Sequence, residues 1–462
     1  MAAVLSFSSD PQAYLPELAE YVAIPSVSRD ADPKTMRQAA EWLASQLAAV
    51  NGRVEAGTGH PVVVGEWLER SSAPTVLIYG HYDVQPTGDL REWLSPPFAL
   101  TREGEVVRGR GVSDDKGPVY MVLKVVQAFL EQEGRLPLNV RFLIEGEEEI
   151  GSPNLAEFVR DRAGDLRASL VVSADGAMWR PSEPSISLGS KGLVGLTVEV
   201  TGAAEDLHSG RYGGTVANPA SALAAIVAGL HNADGQVSVP GFYRGIAPLS
   251  PARRAEIGAV DFDELAYARE LGVPEPCGER GFTTLERLWE RPTLEVNGLE
   301  AGGKYTVIPH IARAHITCRL VEGQDPRSVL DAVSDRIMAI APPGVLVRVL
   351  PDPGGVPAYT IPADHPAVVA AANALAEVYP GRPVLFAKIG GSVPATDLFA
   401  RVLRCKTLFF SFSTADEHLH APNEFLRLPR LLEGMRAWEL LLRQLAERLP
   451  GGVVDPPPVA QS

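Results

Sequence analysis

The chain has 462 residues, 45% of them hydrophobic and 21% charged, which at about 150 residues per domain is material for two or three units with sizeable cores. Forty-two Lys and Arg against 57 Asp and Glu give a net charge of −15, no stretch gathers the cations a phosphate backbone needs, and no apolar run nears the roughly 20 residues that span a bilayer, which argues against nucleic acid and membrane as partners. The three cysteines, Cys277, Cys318 and Cys405, are scattered, and Met1 to Asp10 lacks the basic start and apolar stretch of a secretory signal, so reduced thiols in a cytoplasmic protein are expected.

From Pro11 to about Leu188, short apolar runs alternate with longer helical patterns, which predicts βαβ units and a mostly parallel sheet. The runs Thr75 to Tyr79, Leu138 to Ile144 and Ser169 to Val172 are too short for helices. The first and third are apolar on both faces, as strands covered on both sides should be, whereas the second carries Asn139 and Arg141 on one face. Lys116 to Glu133 has apolar residues at helical spacing, with Asp114 and Asp115 just before it, Pro118 in its first turn and Gly134 at its end.

From Lys191 the pattern changes. A strand (Leu193 to Val200) and a helix (Asn218 to Leu230) are followed by a Pro- and Gly-rich stretch over 232–300, read as an insertion, and by a short strand near Lys304 to Ile308. Ile311 to Val321 alternates, with Ile316, Cys318 and Leu320 on one face and His315, Thr317 and Arg319 on the other. A helix (Pro326 to Ile340) and a strand (Val345 to Leu350) complete a β-α-β-β-α-β order, which predicts a ferredoxin-like unit. From about Tyr359 the βα pattern resumes with helix His365 to Tyr379, strand Thr407 to Phe412 and a last helix from about Pro429 to Leu449. One unit over 1–189 and 359–449 is therefore expected to carry the other, 190–358, as an insertion, with a mobile Pro- and Gly-rich tail over 450–462.

Open α/β sheets place ligand-binding groups in loops past the carboxyl ends of their strands. Here those loops hold acids and histidines: His81 and Asp83 after the first run, Glu145 and Glu147 to Glu149 after the second, Asp175 after the third, and His418 and His420 after the strand from Thr407. Asp114 and Asp115 stand at a helix N-terminus. Taken singly, each has a plain structural reading: a loop histidine, a solvated helix start, an N-cap. Together, so many carboxylates at one sheet edge would repel each other unless cations sat among them, and a metal site is the economical explanation.

Six motifs carry a resemblance that covers nearly the whole chain: Gly80-His81-Tyr82-Asp83-Val84, Gly109 to Gly117, Glu148-Glu149-Ile150-Gly151-Ser152, Ser173-Ala174-Asp175, Asp206-Leu207-His208-Ser209-Gly210 and His420-Ala421-Pro422-Asn423-Glu424. With them the sequence resembles the dinuclear metallopeptidase family that includes the cytosolic carnosine-type dipeptidases, succinyl-diaminopimelate desuccinylase and glutamate carboxypeptidase. The resemblance implies an α/β, zinc-peptidase-like catalytic domain, its mostly parallel mixed sheet covered by helices, with an inserted α+β ferredoxin-like lid and dimerisation domain. It also implies that Asp114 bridges two metal ions, one held by His81 and Asp175, the other by Glu149 and His420, with His420 preferred to His418. A nitrogen and oxygen donor set without thiolate suits Zn²⁺, and also Mn²⁺ or Co²⁺. By the same resemblance Asp83 holds the other ring N–H of His81, and a cis peptide follows Asp114.

Two ions about 3.5 to 4 Å apart can hold a water between them and polarise a scissile carbonyl. The resemblance makes Glu148 the general base, with Glu147 as the alternative, and has His208 reach the partner's active site in a homodimer to stabilise the oxyanion. Arg319, on the polar face of its strand, can bind a carboxylate bidentately, and the resemblance implies that Thr306 and the Gly390-Gly391-Ser392 loop help to hold the same end of the substrate. Carnosine-type dipeptidases carry an acidic residue directly before Gly-Gly-Ser, suited to a substrate ammonium, whereas here Lys388-Ile389 precede it. The expected activity is therefore two-metal hydrolysis of the amide bond of a dipeptide or similar small substrate with a free C-terminal carboxylate. An N-acyl amino acid deacylase or a glutamate-carboxypeptidase-like enzyme is the alternative. Behind these stand a binding protein without turnover and a two-metal phosphoesterase, which needs more cationic contacts than this region offers.

Overall fold

In the computed structural model, which describes residues 4–29, 32–303 and 305–451, the apolar runs form a parallel set. Strands β1 (Thr75–His81), β2 (Asn139–Glu145), β3 (Leu170–Ser173) and β4 (Thr407–Phe409) lie side by side in the order β2-β1-β3-β4. The register pairs Thr75 with Asn139 and His81 with Glu145, and Ile78 with Val172. Every residue of β1 is buried, so its backbone groups must find partners within the protein, and its Val, Leu and Ile side chains suit a surface covered on both sides. Antiparallel strands extend the sheet: Val62–Trp67 beside β2, Arg53–Glu55 beside Val62–Trp67, and Ser185–Ser190 beside β4.

Helix α1 (Lys116–Glu133) buries Val119, Val122, Val126 and Phe129 and stops at Gly134, whose φ of 68° is open to glycine without steric cost. It packs along α2 (Leu428–Arg448), which in turn packs on Pro366–Val378. Its start also lies hard against β1. A Cβ on Gly80 would stand 2.6 Å from Val119 Cγ2 and 2.7 Å from Asp115 Oδ2, so only glycine allows that approach beside His81.

The chain divides into two units, one holding the elements above and the other Gly189–Thr360 together with Lys388–Val393. The sheet of the second runs Thr293–Ala301, Ile311–Leu320, Gly192–Thr201, Leu346–Pro351, each pair antiparallel. Helices Pro219–Ala228 and Pro326–Ile340 cover the face that carries Val194, Leu196, Val198, Ile316 and Cys318. Each such Val, Leu or Ile contributes about 1.5–3 kcal/mol when fully buried. The β-α-β-β-α-β order and the ferredoxin-like arrangement are those expected, but the second strand is not. The sheet uses Thr293–Ala301, inside the stretch read as an insertion, whereas Val307–Ile308 pairs with Leu207–His208 in a separate ladder. A register shift between Val296 and Gly298 breaks the period of two in that strand, which hides it in the sequence. Lys304, named in the expected strand, and the tail after residue 451 lie outside the described residues.

Candidate metal centre

Because β1 to β4 run parallel, their carboxyl ends share one edge. His81 is the last residue of β1, Glu149 and Asp175 follow β2 and β3, His420 follows β4, and Asp114 comes just before α1. Donor atoms of His81, Asp114 and Asp175 lie within 4.8 Å of one another, and so do those of Asp114, Glu149 and His420. Asp114 belongs to both groups and divides its carboxylate between them. Its Oδ1 is 3.1 Å from His81 Nε2 and its Oδ2 is 2.9 Å from His420 Nε2, which also stands 3.2 Å from Glu149 Oε2. The peptide between Asp114 and Asp115 is cis.

A ring of buried groups aims these side chains. His81 Nδ1 lies 3.0 Å from the backbone carbonyl of Asp83 and 3.4 Å from its Oδ1. The carbonyl is thus the nearer partner of the ring, and the Asp83 carboxylate instead accepts the N–H groups of Glu148 (3.2 Å) and Glu149 (3.1 Å), orienting that turn. Two further supports went unseen in the sequence: Asp115 Oδ2 accepts the His81 N–H at 3.2 Å, and Gln85 Nε2 donates to Glu149 Oε2 at 2.8 Å. Their only signal was adjacency, Asp115 beside Asp114 and Gln85 in the loop that carries Asp83.

The electrostatics of the cluster ask for positive charge. Burial disfavours a charged His81 ring, yet its hydrogen bonds to Asp114 and Asp83 and the nearby Asp115 hold its pKa well above the usual value. Hydrogen bonds to Asp114 and Glu149 lift His420 to about 10. Among the carboxyls, burial and the charge of Asp114 raise Asp175 to about 6, and burial with the charge of Asp175 pushes Glu148 well up. Imidazoles driven to take a second proton, facing an Asp114 carboxyl that they hold well below its usual range and an Asp175 and a Glu148 driven to keep theirs, are a donor set into which divalent cations fit.

The rival residues are engaged elsewhere. Glu147 Oε1 accepts from His60 N and Asn154 Nδ2, each at 3.0 Å, and His418 sets its ring edge-on against Phe425. Neither belongs to the groups above.

In the second unit, His208 pairs with Val307, and its Nδ1 accepts the Gly210 N–H at 3.1 Å. The neutral ring therefore carries its proton on Nε2. Thr306 lies beside it, its carbonyl accepting from Ser209 N and Oγ, both at 2.9 Å. Arg319 Nη1 donates to Ser392 Oγ at 3.1 Å, and among the described residues no carboxylate pairs with that guanidinium. Gly391 has open space around it apart from Ile389. Lys388, by contrast, is neutralised by Glu290 at 2.6 Å.

The family model of the peptidase family M20/M25/M40 matches residues 77–444. The Cys-Gly metallodipeptidase dug1 of Schizosaccharomyces pombe is 28% identical, over 95% of this chain and 96% of its own. Among solved structures, human carnosine dipeptidase 1 superposes with a TM-score of 0.78 at 27% identity, covering 95% of this chain and 96% of that one. The M20 family metallo-carboxypeptidase Sso-CP2 from Sulfolobus solfataricus gives 0.80 at 29%, covering 94% and 99%.

Proposed function

The chain belongs to the peptidase family M20/M25/M40 and is a metallopeptidase, and we propose that it hydrolyses dipeptides that end in a free carboxylate. The observation that carries this reading is the single carboxylate of Asp114 facing two imidazoles from distant parts of the chain, each group completed by a further carboxylate. In this reading His81, Asp114 and Asp175 hold one ion and Asp114, Glu149 and His420 a second, with Zn²⁺ first among Zn²⁺, Mn²⁺ and Co²⁺. Such ions supply Lewis acidity to a carbonyl and lower the pKa of water.

Glu148, in the turn oriented by Asp83, takes a proton from the attacking water and returns it to the departing amine nitrogen, leaving a carboxylic acid and an amine. His208, with its proton on Nε2, donates to the oxyanion that develops on the carbonyl, and does so in the partner's site of a homodimer. Arg319, which donates to Ser392 Oγ and meets no carboxylate among the described residues, takes the substrate carboxylate, and Thr306 and Gly391 help to hold that end of the substrate. The names of the dipeptidase relatives support dipeptides over N-acyl amino acids. A cytoplasmic site of action accords with three free thiols.

The test is an assay of metal-free protein reloaded separately with Zn²⁺, Mn²⁺ and Co²⁺, against dipeptides and their N-acetylated and C-amidated forms. Free dipeptides are expected to be cleaved only with metal, and C-amidation to abolish cleavage. Faster turnover of the N-acetylated compounds moves the substrate class to N-acyl amino acids, and no hydrolysis by folded, metal-loaded protein rejects the activity.

A further inference from the structure

The loop that brings His420 to the centre is irregular. His418, His420 and Asn423 all have left-handed backbone angles, with φ of 56°, 62° and 66°, a region that side chains disfavour, so outside contacts must hold the loop in place. Two fully buried glutamates flank the histidine, and both reach the segment that carries Asp114. Glu424 accepts four hydrogen bonds: Oε2 from Arg110 Nη1 and Gly111 N, both at 2.8 Å, and Oε1 from Ser113 N at 2.9 Å and Asp114 N at 3.1 Å. That fills the roughly four acceptor positions of a carboxylate. Arg110 adds bonds to the carbonyls of Ala421 and Pro86. On the other side of His420, Glu417 accepts from Ser113 Oγ, Thr414 N and Arg427 Nη1, and Ser413 Oγ donates to the Ser113 carbonyl.

Resting on the two-ion reading above, we infer that Glu417 and Glu424 are positioning residues that clamp the His420 loop to the Asp114 segment, and so set the half of the cage formed by Asp114, Glu149 and His420. The other half is built differently. His81 is held in β1 by its ladder to β2, and Asp175 follows β3, so of that half only the shared Asp114 touches the clamp. A buried ion pair such as Arg110–Glu424 is a poor source of stability and a good source of geometry.

The experiment uses the full chain freed of metal and titrated with Co²⁺, followed by visible absorption and by competition with a chromophoric chelator, with melting of the metal-free protein and kcat and KM as companions. Wild type is expected to take two equivalents. E424Q is expected to keep the first within about threefold and to weaken the second by about 10- to 100-fold, with an altered Co²⁺ spectrum and a loss in kcat larger than any change in KM. Should E424Q not fold, S113A removes only the hydroxyl that reaches Glu417 and is expected to weaken the second equivalent roughly tenfold while lowering metal-free melting by no more than the loss of one buried hydrogen bond. Two equivalents at wild-type affinity and spectrum in folded E424Q, or in S113A where E424Q does not fold, overturn the clamp alone. A wild type that takes no more than one equivalent overturns the two-ion reading and the clamp with it.

Discussion

Glu148 and Glu147 are neighbours with the same chemistry and opposite surroundings. Glu147 spends its carboxylate on the backbone of His60 and the amide of Asn154, so it fastens one loop to another. Glu148 does not spend its carboxyl that way: burial and the charges of Asp175 and Asp114 raise its affinity for a proton, which is the property a group that takes one from water needs. Glu148→Gln is therefore expected to bind two equivalents of metal and fold normally while kcat falls by about 10²- to 10⁴-fold with KM little changed. Metal content and steady-state kinetics measured together check this, and a kcat within tenfold of wild type would move the base elsewhere.

The placement of these residues depends on elements that approach each other unusually closely. β1 and α1 meet at Gly80, where a methyl group has no room between Val119 and Asp115. Gly80→Ala is expected to push the start of α1 away from His81, lowering stability by about 1–3 kcal/mol and kcat/KM by more than the stability loss alone explains. Denaturant unfolding and kinetics on the metal-loaded protein measure the two effects, and an alanine variant equal to wild type in both would show that the contact is slack. Most of these elements were legible in the sequence. The Lys116–Glu133 helix announces both its ends, with acids before it and Gly134 after it, and Ile311–Leu320 buries the face its alternation predicts. Thr293–Ala301 was not legible, because its bulge turns one regular pattern into two short, contradictory ones.

At the scale of the whole molecule the decisive question is where His208 acts. A His208→Ala protein and a Glu148→Ala protein are each expected to be inactive, and mixing them under conditions that exchange subunits is expected to restore about a quarter of wild-type activity, the share of sites that pair an intact Glu148 with an intact His208. Size-exclusion and activity measurements on the mixture decide it; hybrid dimers that form and stay inactive reject a shared site. By itself the sequence determined the fold class and narrowed the candidate donors to the acids and histidines past its strands, the particular set of five being what the resemblance implied. Apolar runs short enough to be strands, with acids and histidines after each, leave few other arrangements, because a parallel sheet gathers its carboxyl ends on one edge. Only the tertiary structure decided which atoms meet: that Asp114 divides its oxygens between His81 and His420, that the Asp83 carbonyl lies nearest the ring, and that Glu417 and Glu424 tie together loops some three hundred residues apart. Local patterns report burial and chain direction, whereas a hydrogen bond between distant segments leaves no periodic trace in the chain.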